Sequence, residues 1–193
     1  MTDILDNVRI NKGNNKGDNM GTRNLFTIIH DGKLKLAKYN QWDGYLDGQG
    51  KALSEFIVDD LEFDRLILGL TKIVFLDENK DETQIDAIYA KMNSVTDFDQ
   101  KMEYPLITRD TTIGDQLRAI SQGVFNLPTV NAIAFKKDGL FCEYHYELNL
   151  DSGMISVYRS GNEACDKLVL KTDILSFPEM LDKQIEIQKQ RGE

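Results

Sequence analysis

Six ionisable side chains stand where they could do chemistry: Arg23, Asp43, Arg109, Asp110, Glu143 and His145. Two guanidiniums can grip an anion, while carboxylates and an imidazole can orient a ligand or move a proton. Each also has a plainer use. Arg23 opens a β-rich run, and Arg109-Asp110 precedes a helix start and can cap it. Glu143 and His145 lie two apart on one strand face, and such a face more often meets solvent. His30 adjoins a turn and is expected to be exposed.

The stretch YNQWDGYLDGQG, Tyr39 to Gly50, holds the chain's only tryptophan. Gly44, Gly48 and Gly50 permit two tight turns in succession, around Gly44 and Gly48. Such turns can gather backbone N–H groups at one spot and bind an anion. Trp42 and Tyr45 add flat apolar surface for a ring or a partner protein, with Asp43 and Gln49 beside them. The competing reading folds Trp42 back onto the core. The candidate ligand- or partner-binding residues are thus Arg23, Trp42, Asp43, Tyr45, Gln49, Arg109, Asp110 and Glu143. No residue is assigned a catalytic role.

Other chemistries lack their signatures. Gly48-Gln49-Gly50-Lys51 has neither the spacing nor the hydroxyl of a P-loop, and there is no Gly-x-Ser-x-Gly or Ser-His-Asp arrangement. Two histidines are too few for a His-rich metal centre, and Cys142 and Cys165 lack metal-type spacing. The many acids permit a carboxylate Mg²⁺ site, but nothing fixes one. An N-terminal nucleophile fails because a start at Met20 with loss of that methionine would put Gly21 first. No cofactor and no metal are expected.

The 193 residues, 41% hydrophobic and 28% charged, suit one domain with a sizeable core. A net charge of −9 argues against direct nucleic-acid binding, which needs clustered Lys and Arg. No apolar run is long enough to span a membrane, and no charged-then-apolar stretch suggests secretion. Two unpaired cysteines point to a reducing, cytoplasmic setting.

Residues Met1 to Asn19 are polar and rich in Gly and Asn, and are expected to be disordered. Lys16-Gly17-Asp18-Asn19-Met20 can be encoded with a purine-rich GGAG just before an ATG. Either translation starts naturally at Met20 or the leader is an ordinary flexible tail, and in both readings a single domain is expected over residues 20–193.

Along that domain, Asn24–His30 and Lys33–Tyr39 read as strands joined by Asp31-Gly32 in a type I′ turn. Helical spacing runs from Lys51 to Phe75 with a break at Asp59-Asp60, then from Asp81 to Val95. Pro105 holds Tyr104 extended, and a short helix follows Thr112. NAIAFKK, LFCEYHYELNL and MISVYRS read as an antiparallel meander, with KLVLKT as a possible further strand. Cys142, Tyr144, Tyr146, Leu148 and Leu150 share one strand face by alternation. A C-terminal helix is interrupted early by Pro178. The class is α+β: one antiparallel sheet, from the N-terminal hairpin and the C-terminal meander, packed on a central set of helices and the last helix.

The stretch MGTRNLFTIIHDGKLKLAKYNQWDGYLDGQG resembles the opening of a family of small uncharacterised phage, bacterial and fungal proteins. These begin Met-Gly-Thr-Arg and continue through a hairpin to Gln-Trp-Asp-Gly-Tyr-Pro-x-Gly-Gln-Gly. PLITRDTTIGDQLRAI and LFCEYHYELNLDSGMISVY are also similar to family segments. The chain departs at Leu46, where proline is usual, and at Tyr144, where tryptophan is usual. The resemblance implies no mechanism, but it agrees with a start at Met20. Two readings stay open. One is a non-enzymatic binding protein of phage or prophage type that acts on a host protein, such as a defence component. The other binds or hydrolyses a small nucleotide-like ligand at the Trp42 loop.

Overall fold

The computed structural model describes residues 21–77, 80–94, 105–123, 127–161 and 163–192. The expectations for residues 1–19, Met20 and Tyr104 lie outside them.

β1 (Asn24–His30) and β2 (Lys33–Asn40) form the hairpin. Asp31 and Gly32 take φ values of 54° and 63°, the paired positive angles of a type I′ turn. A π-helical turn at Leu46–Gly50 then runs straight into α1 (Lys51–Asp59), and α2 (Phe63–Leu70) follows. The break read at Asp59-Asp60 is real. The same apolar run then supplies a short strand, β3 (Ile73–Leu76), before α3 (Glu82–Ser94). α4 (Ile113–Ser121) starts where Thr112 accepts a hydrogen bond from the Asp115 N–H at 3.1 Å. β4 (Leu127–Val130) pairs in parallel with β3 as a separate two-stranded sheet.

NAIAFKK is a correction. Ile133–Lys137 forms a 3₁₀ turn rather than a strand. The meander lies one strand later, in β5 (Tyr144–Asn149), β6 (Met154–Arg159) and β7 (Lys167–Asp173). KLVLKT is thus its third strand. α5 (Phe177–Arg191) closes the order, with Pro178 in its first turn, where a missing N–H costs nothing.

The main sheet has the order β2-β1-β5-β6-β7. It is antiparallel except at its centre, where β1 runs parallel to β5 with Leu25 opposite His145 and Phe26 opposite Tyr146. One carboxylate ties this pairing down at its end. Asp151, in the β5–β6 turn, accepts the N–H groups of Asp31 and Gly32 in the β1–β2 turn, each at 2.8 Å. These two N–H groups hold the Asp151 carboxyl below its ordinary range. The expected exposed His30 is half-buried, with Nδ1 3.3 Å from Asp151.

The helices cover one face of the sheet. Phe26, Ile28, Leu36, Tyr146, Leu148, Ile155 and Val157 pack there against Phe56, Leu66, Leu117 and Leu181. Tyr146 and Leu148 therefore face the core as the alternation requires, and Tyr144 packs beside them. Cys142 does not. It precedes the regular strand, escapes its alternation, and joins Leu25 and Cys165 in a small cluster with Phe135 and Tyr158.

His145 corrects the solvated-face reading. It is only 1% exposed, with Nε2 2.8 Å from the Thr27 hydroxyl and its ring stacked on Tyr158. Burial, and then the charge of Lys136, lowers its pKa to about 3. The folded protein therefore disfavours protonation that the unfolded chain accepts near pH 6.5. Stability should fall as the pH drops from about 6.5 towards 3, and His145→Gln should flatten that part of the profile.

Truncation of Leu148 to Ala removes a fully packed side chain and should cost about 2–5 kcal/mol by urea denaturation.

Candidate functional site

The site lies beyond the open end of the β1–β2 hairpin, where the chain leaves β2 at Asn40. Its loop is anchored on three sides. The Gln41 N–H donates to the Arg109 carbonyl at 3.1 Å, and the Gly44 N–H to the Thr22 carbonyl at 2.8 Å. The buried Tyr146 hydroxyl reaches up from β5 to the carbonyl oxygens of Gly44 and Tyr45, at 2.8 and 2.9 Å. The buried Gln49 side chain joins two elements: its Nε2 donates to the Trp42 carbonyl at 3.1 Å, and its Oε1 accepts the Ile113 N–H at 2.7 Å. That N–H belongs to the first turn of α4 and would otherwise lack a partner.

The loop's local conformation follows from its small residues. Asp43 sits in the left-handed region at φ 52°, which Asp tolerates better than most residues. Its carbonyl accepts the Gln49 N–H at 2.8 Å. A Cβ on Gly48 would fall 2.3 Å from that same oxygen, so the turn closes only with glycine there. The N–H groups of Gly44, Gly48, Gln49 and Gly50 all donate to protein carbonyls. The backbone anion cradle expected from the glycines is therefore absent, because the turns consume their own donors.

Trp42 neither fills the core nor hangs free. It is 42% exposed, and its Nε1 donates to Asp110 at 2.8 Å. Its ring lies on the backbone of Gly21, where a Cβ would come within 2.1 Å of Cε3. Tyr45 is half-exposed and meets Tyr144 edge-on at 6.1 Å. Tyr144 in turn stacks on Tyr146 at 6.3 Å.

Side-chain cations supply what the backbone does not. Arg23 and Arg109 both act electrostatically on the phenol of Tyr39, the last aromatic residue of β2. Burial raises that phenol's pKa, while the two guanidiniums pull it back. The Arg23 guanidinium is held over the Phe141 ring at 4.7 Å, and the backbone N–H of Arg23 donates to the Glu143 carboxylate at 3.2 Å. Arg65 and Arg118 are paired with carboxylates. Among the described residues, no such ion pair is found for Arg23 or Arg109.

The structure thus groups Trp42, Arg109 and Asp110 directly, and brings Arg23 and Glu143 to the same end through Tyr39 and Phe141. Gln49 is used up in structural bonds, and Asp43 contributes a turn with its side chain exposed. Tyr45 stands on the far side of the loop against β5.

Two residues went unread in the sequence: Lys38 and Tyr39. Lys38 carried a signal, because strict alternation puts it on the same strand face as Leu36 and Asn40. It is 4% exposed. Burial, then repulsion by Arg109, lowers its pKa to about 7, against a smaller opposing pull from Asp110. Behind it lies a buried amide relay: Asn40 donates to Asn24 at 3.0 Å, and Gln116 donates to Asn40 at 2.5 Å.

Among the described residues, no helix is long and apolar enough to cross a membrane. No protein-family model, curated protein or solved structure matches the chain.

Two substitutions probe the anchoring. Gly21→Ala should displace the indole and shift the emission of the single tryptophan, read by fluorescence. Tyr146→Phe should cost about 1–3 kcal/mol in urea denaturation, because the Gly44 carbonyl loses its donor.

Proposed function

We propose that this protein binds a small anion that carries an aromatic ring, a ligand of nucleotide type, at the open end of the first hairpin. One observation carries the reading. In a chain of net charge −9, Arg23, held over Phe141, and Arg109, whose carbonyl anchors Gln41, flank the end of β2 with no carboxylate ion pair among the described residues, beside a half-exposed tryptophan. Carboxylates are plentiful, so guanidiniums left without them are poised for an anion supplied from outside. Trp42 offers a ring face whose angle is fixed by Asp110 and Gly21. The arginines grip the charged group, Trp42 receives the ring, and Asp110 holds Trp42 in place.

The Trp42 fluorescence reports directly on such a ligand. Titration with AMP should change it, with weaker binding at higher salt. Arg109→Ala and Arg23→Ala should each weaken binding roughly 10- to 100-fold, the worth of a charge-assisted hydrogen bond. Neither change should lower stability much, since no ion pair is lost. If AMP, ADP and inorganic phosphate at millimolar concentration produce neither heat nor a fluorescence change, the anion reading is wrong. A partner protein at this surface would then be the reading to pursue.

A further inference from the structure

At the turn end of the first hairpin, away from the Trp42 loop, metal-ligating side chains converge. Among the described residues, His30, Asp31 and Asp151 form the one group of three His, Cys, Asp or Glu side chains whose ligand atoms all lie within 4.8 Å of one another. His30 ends β1, Asp31 follows in the type I′ turn, and Asp151 stands in the β5–β6 turn. Sequence spacing gives no sign of the group, because Asp151 lies 120 residues from Asp31.

The Asp151 carboxylate is already fixed by the N–H groups of Asp31 and Gly32. That tie needs no histidine. Yet the His30 ring lies against it, with Nδ1 3.3 Å from Asp151 Oδ1 and Nε2 3.8 Å from Asp31 Oδ1. Nδ1 is enclosed and has no hydrogen-bond partner, so it stands beside the Asp151 oxygen without the alignment of a bond. Enclosed ring nitrogens ordinarily find a partner. Two ligands of one tetrahedral ion stand about 3.3 Å apart when each is roughly 2.0–2.1 Å from the metal. The Nδ1–Oδ1 separation matches that edge.

We propose that His30 Nδ1, Asp31 and Asp151 bind one divalent cation of the zinc class, with water in its remaining position, and that the ion fastens the β1–β2 turn to the β5–β6 turn. Asp31, 71% exposed at its side chain, completes the set by rotation. Each Asp151 oxygen keeps a lone pair beyond the one that meets a backbone N–H. Ligating carboxylates are commonly held by such bonds, which orient them for the ion. Neither carboxylate is ion-paired with a lysine or arginine among the described residues, and Lys33, opposite His30 in the hairpin, is exposed. An imidazole nitrogen beside two carboxylates suits Zn²⁺ better than Mg²⁺, which favours an all-oxygen octahedron. The ion and the proposed anion occupy opposite ends of one hairpin, so either can be lost without the other.

The test uses the untagged whole protein, freed of metal by a chelator and titrated with Zn²⁺ by calorimetry. One ion per chain should bind with a micromolar or lower Kd. Tm should rise with Zn²⁺ concentration, as linkage requires of an ion that prefers the folded chain. Mg²⁺ at the same concentration should do neither. His30→Gln should weaken Zn²⁺ binding roughly 100-fold and Asp31→Asn about 10-fold. Asparagine suits the left-handed turn, so Asp31→Asn keeps the metal-free fold and a poorly folded His30→Gln protein would not stall the test. The chain has two histidines, so imidazole NMR can separate them. Zn²⁺ should shift the His30 signals and leave those of the buried His145 in place. Hydrogen exchange at the Asp31 and Gly32 amides should slow when the ion is bound. No binding at millimolar Zn²⁺ overturns the site. Zn²⁺ that binds both variants as tightly as the wild type, or leaves the His30 signals unmoved, is an adventitious ion only and overturns it equally. Binding at His30 with unchanged exchange at the two turn amides overturns the fastening role.

Discussion

One buried phenol sets the geometry from which the rest of the site follows. Tyr146 stands at the centre of the sheet, fully enclosed, and its hydroxyl meets two carbonyls of the loop above it. Burial raises its pKa well above the ordinary range, so it acts as a donor at every physiological pH. The oxygen must have a partner, because a phenol this deep cannot fall back on water. The loop supplies one and is pinned to β5 in return. From that point Gln49 reaches α4, Gln41 reaches Arg109, and Trp42 is delivered to Asp110. A hydrogen bond worth little in net terms thus fixes where half a dozen other groups can be.

The polar relay beneath the site extends the same logic. Asn24, Asn40 and Gln116 sit at the end of an otherwise apolar core, each with no measurable exposure. Their mutual hydrogen bonds leave few alternatives in register or tilt for β2 against α4. Lys38 shares their strand face without sharing their bonds. The amides themselves are only partly satisfied, since Asn24 Nδ2 and Gln116 Oε1 are buried without a partner, and the Lys38 amine meets the Tyr39 carbonyl.

Much of the fold was legible because its signals are local. The Asp31-Gly32 turn, the Thr112 cap and the alternation from Tyr144 to Leu148 each depend on residues a few positions apart. The errors lie where local pattern and tertiary context disagree. NAIAFKK alternates like a strand, but it forms a 3₁₀ turn that covers Leu25 and Cys142 across the second face of the sheet. That cover also explains His145: its polar face was read as wet because no sequence pattern announces a lid. The site was half legible. Composition flagged Trp42 and its glycines, but the glycines serve turn closure rather than anion binding. Lys38 was visible as a charge in an apolar alternation, yet its meaning depends on Arg109, about seventy residues away and not adjacent by any sequence rule.

The parallel seam between β1 and β5 has a consequence in time. Its partners are 120 residues apart along the chain, as Arg23 and Glu143 at its mouth illustrate. At about 5–20 residues per second on a ribosome, β5 emerges roughly ten seconds after β1. Through that interval the first hairpin holds Phe26, Ile28 and Leu36 without the strand that completes their sheet, and a lone hairpin is marginal in water. An unpaired β1 edge is also a template for a neighbouring nascent chain. The central seam is therefore the joint that waits longest for its partner, and the place where crowded synthesis would most readily divert the protein into aggregates.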